Sequence, residues 1–119
     1  MEAQAVKELD LDNGHRLEII DASRRIATDT FLVVMVARLR VPVCESLFSG
    51  AVDLAEIVGV LGEERTFEYR QEQNFVPEGE KEEMFERILD TFVGNTLPYL
   101  SKPGFPEKFI LKEYRENAR

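Results

Sequence analysis

The chain has 119 residues, of which 44% are hydrophobic and 32% are charged, and its formal net charge at pH 7 is −8. This length is typical of one globular domain, so we predict a single domain over residues 1–119 that needs neither a disulfide nor a metal to fold. The negative charge argues against nucleic acid and anionic membranes as partners.

The sequence contains no segment that we expect to enter a membrane. The longest unbroken apolar run, residues 31–37, has seven residues, whereas a spanning helix needs about twenty. The N-terminal segment is acidic and lacks the basic start and apolar core of a signal peptide. The single cysteine, Cys44, fits a reducing compartment. These features predict a cytoplasmic protein.

The first predicted element is a β-hairpin around Asn13-Gly14, a dipeptide that favours tight turns between strands. A two-residue loop would place the apolar residues of the two strands on opposite faces. A three-residue loop, Asp12-Asn13-Gly14 with a left-handed Gly14, instead sets Leu9 opposite Leu17. We therefore predict the three-residue loop.

Two further strands are predicted after the hairpin. Residues 31–37 are apolar at every position and rich in β-branched side chains, which is typical of a strand covered on both faces. We predict a central strand over residues 30–41, ended by Pro42, because proline cannot donate to a ladder. Residues 65–74 alternate in polarity and predict another strand.

Two helices are predicted from their spacing. Residues 53–61 carry apolar side chains at helical intervals, with Asp53 as the N-cap. Residues 78–93 form an amphipathic helix whose acidic face we interpret as solvated rather than as a metal site. Residues 98–106 contain three prolines and predict a stiff connection without regular structure. Residues 107–115 fit a strand or a helix, and their alternation slightly favours a strand.

Together these elements predict an α+β fold. It consists of an antiparallel sheet of four to five strands, one long amphipathic helix at about residues 78–93 packed on a face, and a short helix at about residues 53–61. Because residues 31–37 are apolar on both sides, the second face of the sheet also needs a cover. The short helix or a partner subunit would provide it.

The first candidate binding segment is IIDASRRIATDTF, which precedes the central strand. Asp21 and Ser23 are turn formers, while Arg24 and Arg25 carry guanidinium groups suited to a carboxylate or phosphate. In an extended backbone the two arginines point to opposite sides. The alternative is an exposed loop whose arginines pair with Asp29 or with the acidic helix.

The turn Asp21-Ala22-Ser23 resembles the D-x-S turn of PilZ domains, which bind cyclic dinucleotides on a β-barrel. Ile26 stands where that family has glycine, and no R-x-x-x-R lies upstream. The phosphate clamp of the family is missing, so we do not assign the chain to it.

A second candidate surface is the proline-rich segment that carries Tyr99, Leu100 and Phe105. Such a segment either presents an apolar contact at low ordering cost or folds its aromatic rings back under the sheet. We predict it as an interface.

The sequence lacks the common motifs of nucleotide binding and hydrolysis. Its single histidine, His15, lies at a hairpin end. We therefore predict a non-catalytic binding or assembly module without cofactor or metal, whose partner is a second copy of the chain or another protein. One alternative is a sensor of a small ligand or anion, nucleotides included, that uses Arg24 and Arg25. The other is an enzyme with an unrecognised site, so the question of catalysis stays open, leaning to no.

Overall fold

A computed structural model describes residues 5–118 of the chain. In chain order its elements are β1 (Ala5–Asp10), β2 (Arg16–Asp21), β3 (Arg24–Ala27), β4 (Thr30–Pro42), α1 (Leu54–Leu61), β5 (Glu64–Pro77), α2 (Lys81–Asn95), α3 (Leu97–Leu100) and α4 (Phe105–Asn117). Short 3-10 turns at Glu45–Leu47 and Glu78–Glu80 precede α1 and α2. The predicted α+β class is confirmed.

The strands form one antiparallel sheet around the 13-residue β4. β2 and β3 pair one after the other along one side of β4, and β5 pairs along its other side. β1 pairs with the outer side of β2. The sheet therefore has β1 at one edge and the 14-residue β5 at the other.

The predicted register of the first hairpin is confirmed. Leu9 lies opposite Leu17, and the Leu11 N–H donates to the His15 carbonyl at 2.8 Å. Gly14 has a φ of 89°, a left-handed conformation that glycine adopts without a steric cost. The three-residue loop thus places the apolar residues of both strands on one face.

The two predicted helices are confirmed. Asp53 caps α1 by accepting a hydrogen bond at 3.1 Å from the Glu56 N–H, and Gly62, with a φ of 87°, ends it. The predicted helix at residues 78–93 is formed by the 3-10 turn and α2. Its apolar stripe is buried against the sheet at Phe85, Leu89 and Phe92.

The main core lies between one face of the sheet and the helices. Successive side chains of a strand point to opposite faces, so alternate residues of β4 face α2. α1 and α4 join the same core through Ile57, Leu61 and Ile110. The β4 residues in this core are Phe31, Val33, Met35, Ala37, Leu39 and Val41.

The second face of the sheet carries a smaller apolar cluster. Its members are Ile20, Leu32, Val34 and Val36, each at most 8% exposed. We expected α1 or a partner subunit to cover this face. The expectation for α1 is wrong, because α1 buries Ile57 and Leu61 in the main core on the opposite side. A partner subunit as cover stays a prediction.

The C-terminal segment corrects two expectations. Residues 107–115, for which a strand was slightly favoured, belong to α4, which buries Phe105 and Ile110. Pro106 lies in its first turn, where a missing N–H costs nothing. Within residues 98–106, expected to be irregular, Leu97–Leu100 forms the one-turn helix α3 and Phe105 begins α4.

Candidate functional site

The segment around Asp21 joins the end of β2 to β3 through Ala22 and Ser23, and all four residues of β3 are exposed. Asp21 Oδ1 accepts a hydrogen bond from the Ser23 N–H, and Ser23 Oγ accepts one from the Val34 N–H, both at 2.9 Å. β3 then begins at Arg24 and continues the pairing with β4. Asp21 and Ser23 thus hold the backbone at the junction of β2 and β3.

Arg24 and Arg25 lie on opposite faces of the sheet. Arg24 is opposite Leu32 of the smaller cluster, whereas Arg25 is opposite Phe31 of the main core. Arg25 forms an ion pair of 2.6 Å with Glu78 and lies over the Phe31 ring. The two guanidinium groups do not converge on one point, and the anion site at these arginines stays a prediction.

The second predicted segment is divided between the core and the surface. Leu100 and Phe105 are 1% and 7% exposed and belong to the main core, whereas Tyr99 is 49% exposed. The rings of Tyr99 and Phe105 meet edge-on, with their centroids 5.3 Å apart. Tyr99 is therefore the surface residue of the three. The segment's role as an interface stays a prediction.

Tyr99 forms one wall of a groove between β5, α3 and α4, which we call the aromatic groove. Its volume is about 490 Å³, within the range of small-molecule sites. The Phe67 ring meets Phe105 and Phe109 edge-on at centroid distances of 5.4 and 5.6 Å. The apolar and aromatic lining consists of Phe67, Tyr99, Leu100, Phe105, Phe109 and Leu111.

A row of cations borders the aromatic groove on α4. Its members are Lys108, Lys112 and Arg115. A second hollow of about 320 Å³ shares Tyr99 with the groove and adds Lys102, whose Nζ lies 5.9 Å from the Tyr99 ring centroid. All four cations are exposed, although Lys112 also lies 4.0 Å from Glu116. This concentration of positive charge contrasts with the net charge of −8.

The loop that carries Tyr99 is tied to the N-terminal hairpin by Asn13. The Asn13 amide donates to the carbonyl oxygens of Leu100 at 2.8 Å and Lys102 at 3.1 Å. Its Oδ1 accepts from the His15 N–H at 3.1 Å. The sequence identified Asn13 only as a turn residue, because no local pattern signals a contact with a segment 87 residues away.

Polar contacts tie α4 to β5 near one end and to the segment before α1 at the other. Arg65 Nε and Glu113 Oε1 form an ion pair of 2.9 Å between strand and helix. At the other end of α4, Glu107 accepts hydrogen bonds from the backbone N–H and the hydroxyl of Ser49, at 2.9 and 3.0 Å. The helix that presents the cationic row is therefore held at both ends.

A scan of protein-family models, a search of curated proteins and a search of solved structures each found no significant match to this chain. Over residues 5–118, no helix combines the length and apolar character needed to cross a membrane. We therefore infer function from the geometry of the aromatic groove and its cations.

Proposed function

We propose that the protein is a non-catalytic binding module whose aromatic groove takes an amphipathic anion, a molecule with an apolar body and a carboxylate or phosphate head. The supporting observation is the row of Lys108, Lys112 and Arg115 beside an aromatic wall. Apolar surface gains free energy when it leaves water. Ammonium and guanidinium groups bind carboxylates and phosphates through charge-assisted hydrogen bonds.

The spacing of the cations supports one shared anion site. At 1.5 Å of rise per residue, Lys108 and Arg115 are separated by roughly 10 Å along α4. This separation is close to the Debye length of about 8 Å at physiological ionic strength. An anion in the groove therefore experiences all three cations, although Glu116, 4.0 Å from Lys112, offsets part of their charge.

This anion site lies away from Arg24 and Arg25. An anion sensor built on Arg24 and Arg25 would need both guanidinium groups at one point, and they lie on opposite faces. The α4 row needs no such rearrangement. We further propose a cytoplasmic protein that binds neither nucleic acid nor membranes, supported by its single cysteine and its net charge of −8.

Calorimetric titration with decanoate, decanol and decyltrimethylammonium tests this ligand chemistry. We expect decanoate to bind roughly fivefold more tightly than the other two, because an exposed ion pair contributes up to about 1 kcal/mol. The variant that combines Lys112→Gln with Arg115→Gln should lose most of this preference. The matched control, Lys7→Gln with Arg87→Gln, removes the same charge away from the groove and should bind like the wild type.

Two results would contradict the proposal. Equal affinity of the wild type and the Lys112→Gln, Arg115→Gln variant for decanoate would remove the cationic row from the site. Turnover of a decanoyl ester by the wild type but not by that variant would show that the groove is catalytic.

A further inference from the structure

β5 has an edge that is open along half of its length. Within the described part of the chain, β5 pairs only with β4. Residues 70–75 are all exposed, and they include Gln71 and Gln73, which lie on the face that carries the helices. α2 lies alongside this stretch but leaves its side chains exposed. An uncovered edge strand is a template for another strand.

The hydrogen bonds of β4 determine which backbone groups point out of this edge. The N–H and C=O of Val34 are both bonded on the β2–β3 side, so those of its neighbour Met35 point to β5. Met35 is paired with Gln71. The backbone groups of Gln71 therefore point inward, and those of Arg70 and Glu72 point out of the sheet.

The charges along this edge are complementary to those of the same edge in a second copy of the chain. If two identical strands pair antiparallel about Gln71, Arg70 lies opposite the partner's Glu72, and Glu72 lies opposite the partner's Arg70. Both pairs join unlike charges, which stabilises a cross-strand contact. A pairing about Arg70 would instead place two arginines opposite each other. In the Gln71-centred pairing, the outward N–H and C=O groups of residue 70 also lie opposite those of residue 72 in the second copy. They can therefore form the hydrogen bonds of an antiparallel ladder.

A β-bulge ends the stretch that can pair. Asn74 and Phe75 together face one residue of β4, and Phe75 has a φ of 55° with its side chain 77% exposed. A left-handed conformation is strained at a residue other than glycine. Bulges terminate or redirect strand pairing. The stretch available for pairing therefore ends at residue 74.

We propose that two copies of this chain associate through the free edge of β5, over residues 68–74, in an antiparallel pairing centred on Gln71. This assembly is independent of the ligand proposal. A groove of about 300 Å³ beside the edge is lined by Met84 and Ile88 of α2. A two-fold axis through Gln71 sets the same groove of the second copy across from it, so the pairing also covers these apolar side chains.

A register centred on Tyr69 also opposes unlike charges, because Arg70 then lies opposite the partner's Glu68. Existing ion pairs do not separate the two registers, because Glu68 pairs with Arg38 at 3.3 Å and Arg70 pairs with Glu72 at 3.2 Å. The Tyr69 register is less favourable because its axis moves toward Phe67 and Arg65, which α4 contacts.

Charge exchange tests the pairing by sedimentation equilibrium. Arg70→Glu sets two glutamates against each other in every cross pair, and Glu72→Arg sets two arginines. Each variant alone should dissociate on the order of tenfold more readily than the wild type. An equimolar mixture of the two should recover wild-type affinity, because every cross pair again joins unlike charges. Within one chain, Arg70 and Glu72 form an ion pair of 3.2 Å. Both variants lack this pair, alone and in the mixture, so recovery in the mixture cannot come from restored folding.

Symmetric cross-linking locates the axis. In a Cys44→Ser background, Gln71→Cys should form a disulfide-linked dimer, because opposed Cα atoms in such a pair are about 4.5 Å apart, within disulfide range. Preferential cross-linking of Tyr69→Cys would overturn the Gln71 register. A wild-type chain that sediments as a monomer at millimolar concentration would overturn the proposal, as would association unaffected by both charge variants. Arg16→Glu, on the other side of the sheet, is the matched control.

Discussion

Asn13 has two roles that its position in a turn does not reveal. Its Oδ1 stabilises the hairpin through the His15 N–H, and its amide holds the carbonyl oxygens of Leu100 and Lys102. The second role fixes the backbone on either side of Ser101 and thereby positions Tyr99 at the aromatic groove. A single side chain thus connects the first hairpin to the proposed ligand site.

Asn13→Asp separates these two roles. The substitution keeps the acceptor for His15 but removes both donated hydrogen bonds, so we expect the free energy of unfolding to fall by about 1–3 kcal/mol. Urea denaturation measures the loss. Asp12→Asn, in the same turn, should change stability by less than about 0.5 kcal/mol. If Asn13→Asp were as stable as this control, the amide contacts would contribute nothing to the fold.

At the level of elements, prediction succeeded where a segment carries its own pattern. The hairpin register follows from the faces of Leu9 and Leu17 and from the turn at Gly14, and α1 follows from the Asp53 cap. β4 and the stripe of α2 are equally local, because their apolar spacing alone defines them. Together with β5, they account for four of the five strands and much of the main core. β3 was not predicted, because its four exposed residues carry no alternation of polarity.

α4 shows where local pattern was insufficient. The run Phe109-Ile110-Leu111 puts apolar side chains on both faces of a strand and around about half of a helix, so periodicity does not decide between them. The available signal was Pro106 followed by Glu107, since proline and acids are favoured in a first helical turn. The cationic row depends on this choice. In a strand, Arg115 would face away from Lys108 and Lys112, whereas helical spacing aligns all three.

The contact between α1 and α4 makes the stability of the fold depend on pH in the alkaline range. A hydrogen bond to Glu56, then burial, then the charges of Glu56 and Asp53 raise the pKa of Tyr114 above its usual value of 10.0. The folded state therefore holds the phenolic proton more tightly than the unfolded state does. This contribution to stability is complete below the unfolded pKa and is lost as pH rises through the higher folded pKa.

Tyr114→Phe should remove this dependence. The urea midpoint of the wild type should fall more steeply above pH 10 than that of the variant, while below pH 9 the difference between them should stay constant. Tyrosinate absorbance offers a direct check. The wild type should contain one tyrosine of raised pKa, and the variant should lack it. Parallel midpoint curves across the whole range would contradict this role for Tyr114.

At the level of the whole molecule, the shape leaves much surface for recognition. The radius of gyration is 17.0 Å and the extents are 54 × 28 × 20 Å, whereas a compact chain of this length has a radius of gyration of about 13.5 Å. The elongation follows from the length of β4 and β5, whose 13 and 14 residues span about 43–46 Å at about 3.3 Å per residue. Residues 70–75 of β5 stay exposed at the edge of this long sheet.

Net charge makes the two proposed interactions respond oppositely to salt. Two chains of charge −8 whose centres lie about 28 Å apart, the middle dimension of the molecule, repel by about 3–4 kcal/mol at 0.01 M salt and by less than about 1 kcal/mol at 0.15 M. The exposed cross pairs contribute only about 0.2–1 kcal/mol each. Repulsion therefore dominates at low salt, and screening it should tighten dimerisation on the order of a hundredfold over this range.

Decanoate binding depends on attraction to Lys112 and Arg115 and should weaken over the same range. Sedimentation and calorimetry at matched salt concentrations measure both trends, and a dimer that loosened with added salt would mean that local ion pairs outweigh the repulsion between the chains.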